Sequence, residues 1–462
     1  MQSVFKFRDE LIDQYQSFSR SFTRIWASDI ADHVNAEYER KRYWPEPLIQ
    51  INPNYLRADD VDQLVAEGSL HPTCKKIFRI KTDDGQVPLR LFQHQQEALS
   101  KASGKDGQSY VVTTGTGSGK SLAFFLPIFN RILKEKQNDP TPRTRAIIIY
   151  PMNALANSQL EEVRKFIGNL GPEDTSIQVD RYTGQENDTI RQMMLELILT
   201  RFEPTDRLVV EHCHGLEYLV LDELHTYRGR QGADVAMLVR RLRERFQSKN
   251  LICIGTSATM SSTGSHEDRK KTVAQVASKL FGQDIPPENV IGETLERVTN
   301  PHRDLKSIQP LLKKSLQRQK FEWSNFSAFE DDPVAIWVEL NLGLTLPERG
   351  SPERAKPISL TEAAARLSTD SGLPVEHAHE ALERFLVAAQ SVRAPDGRAP
   401  FAFKLHQFIS GPGKVHCTLE PTEERLITLD AQRFAPSRQD EGVFLFPTHF
   451  CRECGQEYHP VW

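Results

Sequence analysis

Four short runs of consecutive apolar residues recur through the middle of the chain: YVVTT (Tyr110 to Thr114), RAIIIY (Arg145 to Tyr150), YLVLD (Tyr218 to Asp222) and LICIGT (Leu251 to Thr256). A strand that is apolar at every position is buried on both faces, which is the condition of a parallel sheet covered by helices on each side. Helical patterns lie between the runs. Val235, Leu238, Val239, Leu242 and Phe246 fall on one stripe at helical spacing, and so do Val273, Val276, Ala277, Leu280 and Phe281. The alternation predicts a doubly wound α/β domain over residues 86–295.

The flanks read differently. Residues 1–85 carry aromatic and aliphatic positions at helical intervals and are expected to be a helical region, interrupted where PEPLIQINPNY forces an extended passage. From 296 to 400 the chain is more polar. SLTEAAARL opens with a capping-box pair, Ser359 and Glu362, and EHAHEALERFLVAAQ supplies a second helix. FAFKLHQFI then reads as a strand, and 401–462 as a β-rich segment. Two helices followed by strands fit either a winged-helix-like module or a helical packing insert, and the pattern leaves both open. The C-terminal region is thus mixed α+β.

A length of 462 residues calls for two or three domains. Hydrophobic content of 39% and charged content of 26% belong to a globular chain. No apolar run approaches the roughly 18 residues of a membrane span, and MQSVFKFRDE lacks the apolar core of a secretory signal, so a cytoplasmic protein without a membrane partner is expected. With 58 basic and 62 acidic residues the net charge is −4. Nucleic-acid binding must then come from local grooves rather than from a basic coat. Of six cysteines only Cys451 and Cys454 are tightly spaced, which fits a reducing compartment.

TTGTGSGKS (Thr113 to Ser121) follows one apolar strand and precedes the helical SLAFFLPIF. A glycine-rich turn in that position wraps a phosphate chain in backbone N–H groups, and the helix N-terminus adds the positive end of its dipole. Thr114, Gly115, Thr116, Gly117, Ser118, Gly119, Lys120 and Ser121 are the candidate ATP-binding residues. Lys120 would reach the β- and γ-phosphates and the Ser121 hydroxyl would hold Mg²⁺. YLVLDELH places Asp222 and Glu223 at the end of a later buried strand, where Asp222 would hold the Mg²⁺ shell and Glu223 would orient and deprotonate the attacking water. Lys120, Asp222 and Glu223 are the candidate catalytic set. His225 is placed to bridge to Ser257, Ala258 and Thr259.

These residues, in this order, resemble the motifs of superfamily 2 helicases over about residues 90 to 260. HQQEAL is similar to the motif in which a glutamine, here Gln95, reads adenine. YPMNALANSQ resembles the first backbone-contact motif, with Asn153 and Gln159 facing nucleic acid. YTG resembles the next, with Thr183 and Gly184. DELH and SAT resemble motifs II and III, so that His225, Ser257, Ala258 and Thr259 would couple hydrolysis to strand contact. The resemblance implies a RecA-like ATP-binding lobe, an ATP and Mg²⁺ requirement, and ATP-driven movement on nucleic acid. Superfamily 2 motors commonly relax the glycine position that Thr114 occupies.

DELHTYRGRQGADVAMLVRRL, NPNYLRADDVDQLVAEGSLHP and FCRECGQEYHPVW are further similar to large bacterial helicases of the MrfA and Lhr-like group, among them the helicase subunits of the Druantia and DISARM phage-defence systems. This implies DNA as the track, a role in phage defence or DNA repair, and defence or repair proteins as partners. An RNA-directed ATPase and an ATP-gated recruitment platform are the alternatives. Three departures stand out. No Q-x-x-G-R-x-x-R motif of a second lobe appears, which implies a longer protein or a missing lobe. Gln192 runs directly into Met193 where the family places a strand and a backbone contact. Cys451 and Cys454 are half of a four-ligand Zn²⁺ site, or a pair of plain thiols; His416 and Cys417, also at hand, sit in a strand-like stretch.

Overall fold

The computed structural model describes residues 3–21, 24–82, 85–103, 107–115, 117–141, 143–171, 177–179, 213–248, 250–258, 265–347, 351–411, 414–438 and 442–460. Thr116, Thr183, Gly184, Thr259 and the Gln192/Met193 junction lie outside them. The chain forms two units, residues 55–294 and residues 1–54 with 295–462.

The first unit is built on a five-stranded sheet. Its elements run α1 (Gln93–Ala102), β1 (Tyr110–Thr113), α2 (Leu122–Lys136), β2 (Ala146–Ile149), α3 (Asn153–Ile167), β3 (Tyr218–Leu221), α4 (Gly229–Arg245), β4 (Ile252–Ser257), α5 (His266–Phe281) and β5 (Val290–Gly292). The strand order is β5-β1-β4-β3-β2, all neighbours parallel. Alternate residues of each strand serve opposite faces. Tyr110, Val112, Tyr218, Val220 and Ile254 pack with α1, α2 and Val163 of α3. Val111, Leu219, Leu221 and Cys253 pack with Val239, Leu242 and Phe246 and with Ala277, Leu280 and Phe281. The sheet is therefore doubly wound, as the unbroken apolar runs require. Val276 departs from its expected stripe: it lies at the edge of the apolar arc of α5 and is 44% exposed.

The N-terminal boundary of this unit differs from the sequence reading. Residues 57–92 form short strands, Arg57–Asp60 with Arg90–Phe92 and Arg79–Thr82 with Gly85–Pro88, and two short helices. Val61, Leu64, Leu70, Cys74, Ile77 and Phe78 join the core beside α2. Their spacing is irregular because turns separate them, so no helical period announces them.

The second unit opens with helices Val4–Ser21 and Ser28–Glu39. The extended passage after Pro45 becomes strand Leu48–Asn52, the middle strand of a three-stranded antiparallel sheet. Its partners are Ile358–Ser359 and Ala402–His406, the second falling inside the predicted FAFKLHQFI strand. The two predicted helices form at Leu360–Ser371 and Val375–Ala389, and the Ser359 side chain accepts the Glu362 N–H as its cap. The strand between them in space comes from the N-terminal segment, which neither sequence reading of this region contained. Ile49, Ile51, Leu367, Leu382 and Phe385 share one apolar cluster. His416 and Cys417 form a buried two-residue strand. No helix among the described residues is long and apolar enough to cross a membrane.

Candidate active site

The carboxyl ends of the parallel strands fall together: Thr113 is level with Ser257 and Gly292, and Leu221 is level with Gly255 and Ile149. In an open α/β sheet this edge is where loops converge on a ligand. The phosphate loop leaves β1 here. Gly117 at φ +80° and Gly119 at φ +66° occupy left-handed backbone that favours glycine. A Cβ on Gly119 would also come within 2.7 Å of the Gln95 Nε2 atom.

Two adjacent side chains of α1 brace the loop from behind. Gln95 Nε2 donates to the carbonyls of Ser118 at 3.3 Å and Gly119 at 2.9 Å, while its Oε1 accepts the Phe92 N–H at 2.9 Å. Gln95 is 1% exposed, and in this structure its amide is hydrogen-bonded to the loop. His94 Nε2 lies 3.0 Å from the Ser118 carbonyl and therefore carries the proton there. Burial drives the His94 pKa down to about 4, so the ring is neutral. Within the loop, the hydroxyls of Thr114 and Ser118 are 2.6 Å apart. The Gly115 N–H donates to the Glu293 carboxylate at 3.1 Å.

Lys120 emerges beneath this loop. Its Nζ is buried and has no hydrogen-bond partner among the described residues. A Glu223 carboxylate oxygen is 3.6 Å away. An ammonium buried beside one carboxylate, with no hydrogen bond, is a group poised for an anion.

Asp222 and Glu223 stand at the end of β3 as predicted. Burial pushes the Asp222 carboxyl up, a Thr256 hydrogen bond opposes this, and the neighbouring Glu223 charge raises it further. Glu223 has φ +53° and ψ +56°, a left-handed conformation costing roughly 1–2 kcal/mol for a residue with a Cβ. His225 Nδ1 lies 3.2 Å from Glu223 Oε2 and 3.3 Å from the Ser257 hydroxyl, so His225 touches both the acidic turn and the end of β4. Ala258 follows Ser257 at the strand end and is half-buried.

Ser121 donates to Gln159 Oε1 at 2.6 Å. Gln159 therefore reaches the phosphate loop in this structure. Gln159 stands six residues beyond Asn153, the first residue of α3, and is half-buried, whereas Asn153 is exposed. Sequence reasoning missed Thr256, His94 and Glu293. The first two stand beside motif residues, which is the only signal they carry; Glu293 has none.

Cys451 is half-buried and Cys454 exposed, in a turn where Gly455 N–H donates to the Cys451 carbonyl at 2.9 Å. The N–H groups of Cys454 and Glu453 directed at the Cys451 sulfur lower its pKa. Among the described residues no third His, Cys, Asp or Glu completes a metal-binding group there.

Residues 92–266 match the DEAD/DEAH box helicase family. Among individual proteins, the uncharacterized ATP-dependent helicase YprA of Bacillus subtilis is 32% identical over 37% of this chain and 23% of its own length. Druantia protein DruE of Escherichia coli is 24% identical over 80% of this chain and 28% of its own. The chain thus spans about a quarter of the length of these relatives. A crystal structure of the DUF1998 helicase MrfA bound to DNA is 23% identical at a TM-score of 0.40, over 61% of this chain and 39% of that one.

Proposed function

We propose that the domain hydrolyses ATP and that the protein uses the cycle to move along DNA, in phage defence or DNA repair. The observation that carries this reading is the buried Lys120 ammonium, without a hydrogen bond among the described residues, facing Glu223 across the mouth of the phosphate loop. The residues present fit MgATP. Lys120 and the loop amides would hold the β- and γ-phosphates, and the Ser121 hydroxyl and Asp222 would hold Mg²⁺. Mg²⁺ supplies charge neutralisation of the phosphates when bound. Glu223 orients and deprotonates water, held in place by its left-handed turn and by His225. A scaffold has no need of that carboxylate, which weighs against a recruitment platform.

DNA rather than RNA, and defence or repair as the setting, rest on the resemblance to the MrfA and Lhr-like group and on the likeness to DruE that runs through most of this chain. Asn153, exposed at the start of α3, would contact a nucleic-acid phosphate. Movement would track the backbone, with little base preference. A cytoplasmic site, where ATP and DNA meet, belongs to the same reading. So does zinc: Cys451 and Cys454 would supply two of its four ligands. Purified protein with no zinc by elemental analysis, and both thiols open to alkylation, overturns the zinc assignment.

The test is ATP turnover without polymer and with single-stranded DNA, duplex DNA or RNA, beside Glu223→Gln. Stimulation by single-stranded DNA that is lost in the variant supports the DNA motor. Stimulation by RNA alone moves the track to RNA, and flat turnover with every polymer overturns the motor.

A further inference from the structure

The Asp222 carboxylate and the Glu223 backbone amide share one buried partner that no motif names. The parallel register of β3 and β4 sets Gly255 level with Leu221, which brings the next residue of each strand, Thr256 and Asp222, side by side. The Thr256 hydroxyl accepts the Glu223 N–H at 3.2 Å and hydrogen-bonds to Asp222 Oδ1. An amide can only donate, so the hydroxyl accepts on that side and its single proton goes to the Asp222 carboxylate. Thr256 is 0% exposed, which shields both bonds from bulk water. Its branched Cβ has few rotamers on a strand, which keeps the oxygen in one place.

The packing around it is tight. A Cβ on Gly255 would fall 2.3 Å from Leu224 Cδ1, so the turn that carries Glu223 lies directly on β4. The Glu223 backbone is left-handed and would relax if its amide were released. Held as it is, its carboxylate faces Lys120 at 3.6 Å.

We propose that Thr256 is a positioning residue for ATP hydrolysis: one hydroxyl on β4 orients the Asp222 carboxylate toward the metal and pins the backbone that aims Glu223 at the attacking water. The assignment rests on the reading of Asp222 and Glu223 given above. It also ties the strand that ends in Ser257 directly to the hydrolytic pair, a second link beside His225.

The experiment compares Thr256→Val, which keeps the shape and removes the hydroxyl, with Thr256→Ser, which keeps the hydroxyl, in the full chain. Three quantities are read: kcat and KM for ATP, equilibrium binding of a fluorescent ATP analogue in EDTA and in Mg²⁺, and thermal unfolding. Thr256→Val is expected to lower kcat about tenfold or more while binding in EDTA changes by less than about twofold. The tightening of nucleotide binding by Mg²⁺ should shrink, and Thr256→Ser should bring both back to within about threefold of the parent. Should the valine variant fail to fold, Thr256→Ala is read by the same criteria. Parent-like kcat and Mg²⁺ response in the hydroxyl-free variant, or a loss that serine does not restore, overturns the assignment. A parent protein without turnover sinks the motor reading, while the Mg²⁺ binding comparison needs no turnover and still decides on Thr256.

Discussion

Lys120 Nζ stands 3.6 Å from the Glu223 carboxylate, joining the loop after β1 to the turn after β3 across the strand that separates them. The pair brings together the charge that would grip the phosphates and the group that would activate water. Replacing Glu223 by Gln removes the proposed base and keeps its size. Turnover should fall by about 10²–10⁴-fold, and equilibrium binding of a nucleotide analogue should persist. Loss of binding as severe as the loss of turnover would reassign Glu223 to nucleotide binding.

Gly119 couples the loop to its brace. Gly119→Ala places a methyl 2.7 Å from Gln95 Nε2 on backbone at φ +66°. The substitution should destabilise the domain by about 1–2 kcal/mol in urea unfolding and weaken nucleotide binding. Unchanged values for both would show that the loop adjusts freely.

His94 makes stability depend on acid. Its pKa is about 4 in the folded chain and 6.5 unperturbed, so the unfolded chain binds the extra proton. Stability from this group is fully present above pH about 6.5 and is lost as pH falls toward 4, a loss on the order of 3 kcal/mol. Urea unfolding at pH 7 and pH 4.5 should show a steeper acid loss in the parent than in His94→Asn. Equal slopes would remove His94 as the cause.

Asp332 tests the other unit. It is 4% exposed and accepts from Trp323 Nε1 at 2.8 Å, Arg318 at 2.6 Å and the Val334 N–H at 2.8 Å, capping helix Pro333–Val338. Asp332→Ala strands these donors and should cost about 3 kcal/mol or more. Nucleotide affinity should be unaltered, since Asp332 belongs to the unit without the phosphate loop. A stability change under about 1 kcal/mol would mean that water replaces the carboxylate.

Sequence reading succeeded where the physics is local. Buried strands show as unbroken apolar runs, Gly117 and Gly119 mark a turn that needs left-handed backbone, and Asp222 and Glu223 end a strand whose apolar character stops at them. It was silent where a side chain's partner lies elsewhere in the chain. Gln95 and Gln159 have the residue types their motifs suggest. Only the packing of α1 and α3 shows that both amides are directed at the phosphate loop.

By itself, the sequence determined the parallel α/β class, the phosphate loop and the acidic pair, because contiguous residues carry strand burial, turn conformation and charge. The tertiary structure alone decided the order β5-β1-β4-β3-β2, the placing of Thr256 against Asp222, and the use of Leu48–Asn52 between two strands from the far end of the chain. Such pairings depend on the path the chain takes between its strands. A strand's own residues state that it will be buried, not which strand will lie beside it.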